Sequence, residues 1–110
     1  MSVLTIRAHR RYAMRLPVDL AKNGGKDTRG LLIELSQQGA RISNLGKCTF
    51  EFGEAVTLTL ECGHRLSGSV RWAHDGLAGI RLDQTLHAPE MRDLLIANRD
   101  AQEDMQLYGT

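Results

Sequence analysis

The sequence predicts an all-β protein with a C-terminal helix: six short antiparallel strands closing into a barrel, then one amphipathic helix. Three observations carry that expectation. Apolar and polar residues alternate with period two through most of the chain, turn-forming residues separate the alternating runs at short intervals, and the apolar period becomes helical after Pro89. Strands joined by hairpin turns leave exposed edges unless the sheet closes or folds onto itself, and open edges invite pairing with other chains. A length of 110 residues supplies one domain and no second core.

The elements follow in chain order. Residues 1–15 form a basic arm with Arg7, Arg10, Arg11 and Arg15 and no acid, expected to be flexible; the barrel is expected over 16–84. Leu16, Val18 and Leu20 alternate with Pro17, Asp19 and Ala21 as a half-buried strand, and Asn23-Gly24-Gly25-Lys26 supplies a hairpin turn. In the second strand Leu31, Ile33 and Leu35 share one face, expected to be inward, and Glu34 and Ser36 the other. Gln37-Gln38-Gly39 is a tight turn, after which Ala40 and Ile42 point one way and Arg41 and Ser43 the other. Val56, Leu58 and Leu60 against Thr57, Thr59 and Glu61 make the fourth strand, ended by Cys62-Gly63-His64. The fifth runs from Arg65 to Ala73, and Asp75-Gly76 turns it into the sixth, Leu77 to Leu82. A helix is expected over 88–107, packed on or beside the barrel: Pro89 suits a first turn, Glu90 meets the positive end of the helix dipole, and Met91, Leu94, Leu95, Asn98, Ala101 and Met105 fall on one face.

Composition excludes several classes of function. A hydrophobic fraction of 42% with 25% charged residues is that of a soluble fold, and no apolar run approaches membrane-spanning length. No export signal is legible in Met1 to Ile6, so the expected compartment is the cytoplasm. Cys48 and Cys62 are too few for a disulfide scaffold and form no CxxC pair; with His64 and His74 they match no zinc-knuckle spacing, so no metal is expected. Gly24-Gly25-Lys26 lacks the rest of a phosphate loop, and neither a GxSxG elbow nor an HExxH helix is present, so no enzyme is expected. Aromatic residues are scarce at 5%, and the net charge is only +1, which argues against a specific nucleic-acid binder.

What remains is a constellation. The arm contains Arg11-x-x-x-Arg15, preceded by Arg10; the second strand ends in Glu34-x-Ser36-x-x-Gly39-Ala40; later come Val70-Arg71-Trp72 and Gly79-Ile80-Arg81-Leu82. In this order and spacing the motifs resemble the PilZ domain, a bacterial receptor module for the second messenger cyclic di-GMP. The likeness spans almost the whole chain and implies the family's six-stranded split barrel with a terminal helix. It further implies a ligand site of Arg10, Arg11, Arg15, Glu34, Ser36, Gly39 and Trp72; Arg7, on the same arm, and Arg41, which has the parity of Ser43 beside the turn, are further candidate contacts. The family's Asp or Asn stands here as Glu34, the same carboxylate one methylene longer.

The residue chemistry fits such a ligand. A cyclic dinucleotide presents two phosphates and two guanines, and guanidinium groups bind both with paired hydrogen bonds and stack on purine faces. Glu34 and Ser36 offer acceptors to guanine, and Gly39 exposes bare backbone. Plainer readings stand beside these: the arm as a solvated tail, Glu34-x-Ser36-x-x-Gly39 as a strand end and hairpin, Arg41 as a surface ion pair, and His9 as a minor contact. Strict alternation gives Trp72 the parity of Leu66 and Val70 and sends it inward, unless a bulge turns its ring outward. Two functions are therefore expected: a cyclic di-GMP receptor that orders its arginine arm over the barrel and signals to a protein partner, or a degenerate PilZ-like adaptor acting through protein contacts without nucleotide.

Overall fold

The computed structural model describes residues 11–22, 27–46, 50–61 and 63–109, with the backbone alone over 101–109. Six strands, β1 (Tyr12–Lys22), β2 (Asp27–Leu35), β3 (Gly39–Ser43), β4 (Ala55–Leu60), β5 (Arg65–His74) and β6 (Leu77–Leu82), precede the helix α1 (Ala88–Gly109). The strands close into an antiparallel barrel in the order β1-β2-β3-β6-β5-β4, as the turn spacing predicts. Closure pairs every strand on both sides and so removes free edges.

Alternation fills the interior. Val56, Leu58 and Leu60 of β4 point inward while Thr57 and Thr59 stay half-exposed, and β1 contributes Met14, Leu16, Val18 and Leu20. Each fully buried leucine contributes up to about 1.5–3 kcal/mol by leaving water. The β3–β4 connection links strands on opposite sides of the barrel and adds Leu45 and Phe50 to the core. Asp75 and Gly76 take φ of 53° and 78°, the left-handed pair of a two-residue hairpin turn whose twist matches the flanking strands.

Three sequence readings need correction or placement. β1 starts at Tyr12, so residues 12–15, counted with the arm, belong to the barrel wall. The inward face of β2 is Gly30, Leu32 and Leu35; Leu31 and Ile33 are only half-buried. A register shift between Leu32 and Glu34 causes this, since one extra residue reverses the side-chain parity beyond it. The turn at Asn23–Lys26, both cysteines, His9 and arm residues 1–10 lie outside the described residues.

Helix α1 begins as expected and runs to Gly109. Glu90 Oε1 accepts the His87 N–H at 3.2 Å, so its side chain reaches back over the first turn. Met91 and Leu94 are buried and Leu95 and Ala97 pack against the core. Asn98 Oδ1 accepts the Arg15 N–H at 2.7 Å, beside the register shift between Ala13 and Leu16. The expected stripe thus continues through Asn98; the side chains of Ala101 and Met105 lie outside the described residues.

Candidate functional site

A shallow hollow of about 150 Å³ opens on the outer wall, lined by Arg11, Glu34, Ser36, Gly39, Ala40, Arg41, Arg71, Trp72, Gly79 and Ile80. Five of these, Arg11, Glu34, Ser36, Gly39 and Trp72, belong to the sequence-predicted site, and Arg41 is one of its additional contacts. Each is placed by local chain geometry. Arg11 directly precedes β1, and Glu34 is turned outward in β2 while its neighbours Leu32 and Leu35 fill the core. Arg41 pairs across to Gly79 in β6 and to Glu34 in β2, which sets it in the floor of the hollow.

The turn between β2 and β3 is held by Ser36. Its Oγ accepts the Gly39 N–H at 3.1 Å and the Gln38 N–H at 3.4 Å, and the Ser36 N–H donates to the Gly39 carbonyl at 2.8 Å. The hydroxyl thus shapes the rim as well as lining it. A Cβ on Gly39 would come within 3.1 Å of the Ile80 carbonyl, so that position stays bare because β6 passes close by.

Trp72 lies outward, which corrects the strict alternation that sends it into the core. A register shift between Val70 and Trp72 leaves both Arg71 and Trp72 exposed, and the next inward-facing residue is the small Ala73, paired with Ala78. The indole sits opposite Gly79, where any Cβ would collide with its Nε1 and ring carbons. Glycine at 79 is therefore the seat of the ring. The His74 ring lies 5.3 Å from it, tilted by 34°, and the Arg41 guanidinium lies 5.8 Å over it.

Three guanidiniums line this hollow with a single carboxylate. Glu34 Oε1 stands 3.7 Å from Arg11 Nη1 and 3.9 Å from Arg41 Nη2, both long contacts between partly exposed side chains. Such pairs are worth little in water and are readily exchanged for a better-placed anion. A larger concavity of about 310 Å³, between Arg65, Asp83, His87 and Glu90, holds none of the predicted residues and sets two carboxylates beside one guanidinium, the wrong balance for phosphate. Among the described residues no cluster of three or more His, Cys, Asp or Glu side chains comes together, and no helix is long and apolar enough to cross a membrane.

Not every predicted residue reaches the hollow. Arg15 is exposed on β1 but does not line it, and Arg7 and Arg10 lie outside the described residues. Sequence reasoning gave no role to Arg71 or Gly79. Arg71 is placed outward by alternation alone; Gly79 opens one of the motifs that carry the resemblance, and as a glycine inside an apolar strand it signals close approach by another group.

Comparison with known proteins bears on the family and the fold. The PilZ domain family model matches residues 5–97. No curated protein matches the chain. Among solved structures, the Bacillus subtilis inhibitor of motility MotI/DgrA has a similar fold, with a TM-score of 0.62 and 18% sequence identity over 92% of this chain and 53% of that one. This chain therefore spans about half the length of that protein, and at such identity the likeness is one of fold.

Proposed function

Because this chain belongs to the PilZ domain family, we propose that it is a noncatalytic cytoplasmic receptor for cyclic di-GMP whose ligand occupies the hollow between Arg11, Arg41, Arg71 and Trp72. The observation that carries this reading is convergence: residues from the chain's start, its middle and its last hairpin meet in one cationic hollow with an exposed indole. A phosphate takes Arg11 from its long contact with Glu34 and gains charge-assisted, two-point hydrogen bonds in exchange. A guanine stacks on Trp72 or on the Arg41 guanidinium, and the freed Glu34 carboxylate accepts from guanine N–H groups. Arg7 and Arg10 add further guanidiniums as the arm closes over the bound nucleotide, with Arg15 held on β1 at the base of the arm, and the altered surface is what a protein partner reads.

A second reading, the nucleotide-free adaptor, draws on one observation. Glu34 already lies near both Arg11 and Arg41, so the longer carboxylate acts as a built-in anion in the place a ligand phosphate would take. Calorimetric titration separates the two. The receptor gives saturable heat with cyclic di-GMP and none with GTP or a DNA oligomer. Silence with cyclic di-GMP, at concentrations that fill a competent PilZ domain, overturns the receptor reading and leaves the adaptor.

A further inference from the structure

We infer that Phe52 and Arg71 form a second stacking station, beside Trp72, for the other purine of the cyclic dinucleotide. The inference rests on the receptor reading, adds Phe52 to it and gives Arg71 a stacking role that none of the sequence motifs assigned. Phe52 has 76% of its surface exposed, against 37% for Trp72 and 39% for Ile96, the other exposed large apolar side chains among the described residues. The turn that carries it is nevertheless well tied. Gly53 N–H donates to the Val70 carbonyl at 2.7 Å, Val70 N–H donates to the Glu54 carbonyl at 2.9 Å, and Glu54 Oε1 accepts the Glu51 N–H at 3.0 Å.

Val70 is the residue at which the β5 register shifts, so these bonds hold the Phe52 turn beside the point where Arg71 and Trp72 both turn outward. A lone exposed apolar residue is ordinary. A ring fixed beside a cationic hollow, with a guanidinium across it, is less so. The Arg71 guanidinium lies 5.7 Å from the Phe52 ring centre and also lines the hollow, much as Arg41 lies 5.8 Å from Trp72. Two arginine–aromatic pairs therefore flank the bulge. A cyclic dinucleotide carries two purines joined through two phosphates, so two stacking stations with guanidiniums beside them match its composition. A mononucleotide would fill only one.

The test uses the full chain and cyclic di-GMP, with fluorescence of Trp72, the single tryptophan, reporting occupancy of the first station in every variant. Phe52→Ala and Phe52→Leu each raise Kd about tenfold, the lower end of what one base–aromatic stack contributes, while Phe52→Tyr keeps wild-type affinity. The unfolding midpoint stays unchanged in all three, because the side chain is exposed. Wild-type affinity in Phe52→Ala, or in Phe52→Leu, overturns the second station while leaving the first intact. Wild type that binds no cyclic di-GMP fails differently: it removes the receptor reading and this inference with it.

Discussion

The β4 side of the barrel, an uncharged alternation of small polar and apolar residues, and the side that carries the hollow, with its glutamate, arginines and tryptophan, differ in register as well. β4 pairs with β1 from Val18–Leu60 to Lys22–Val56, and with β5 from Ala55–Ser69 to Thr59–Arg65, without a shift. Shifts occur instead between Ala13 and Leu16, between Leu32 and Glu34, and between Val70 and Trp72. The last two stand at the hollow, and the first contains Arg15, whose N–H donates to Asn98 Oδ1. Uninterrupted pairing keeps every second side chain in the core; one extra residue spends that regularity to re-aim a side chain. In the proposed receptor, recognition falls on the shifted wall alone, while every strand of the barrel supplies the core.

The sharpest way to break this division is to damage each wall separately. Leu58→Ala, in the regular wall where the side chain is fully buried, is expected to cost about 2–5 kcal/mol of stability in denaturant unfolding while the folded fraction keeps its cyclic di-GMP affinity. Arg11→Ala does the reverse. Calorimetry should show affinity falling by about ten- to a hundredfold through loss of charge-assisted hydrogen bonds, with the thermal midpoint unmoved. Arg11→Lys should recover little of it, since an ammonium lacks the paired donors and the flat face. A large stability loss in Arg11→Ala would show that the hollow also holds the fold together.

The same division explains what the sequence made legible. Val56-Thr57-Leu58-Thr59-Leu60 is the regular wall written out, and Asp75-Gly76 names its own turn. The bulged wall is written less plainly. Leu31-Leu32-Ile33 is an unbroken apolar run, so alternation has no polar residue there to set its phase, and Leu32 rather than its neighbours fills the core. Trp72 has core parity by counting, and only its cross-strand partner Gly79 makes room for it outside. Bulges depend on which residue stands opposite, information held on another strand. Most residues of the hollow are nevertheless named by the family resemblance, whose motifs are recognised by their order and spacing along the chain without requiring the register.

Two smaller effects sharpen the comparison. Gly79→Ala puts a methyl group where the indole rests, so Trp72 must move; affinity should fall about tenfold with a minor change in midpoint, because the displaced ring is partly exposed. An unchanged affinity would show that the seat of Trp72 is irrelevant to binding. Glu34→Asp should have the smallest effect on a receptor, holding affinity or improving it by a few-fold, because the shorter carboxylate withdraws from Arg11 and Arg41 while remaining an acceptor. In an adaptor the same change creates binding absent from the wild type.

The most direct measurement follows backbone amide resonances of the isotope-labelled chain during titration with cyclic di-GMP. The account predicts saturable shifts at Arg11, Glu34, Ser36, Gly39, Arg41, Arg71, Trp72 and Gly79, with the β4 amides of Thr57 and Thr59 unmoved. Shifts centred on β4, or on the concavity between Arg65 and His87, or no shifts at any concentration that fills a competent PilZ domain, would contradict it.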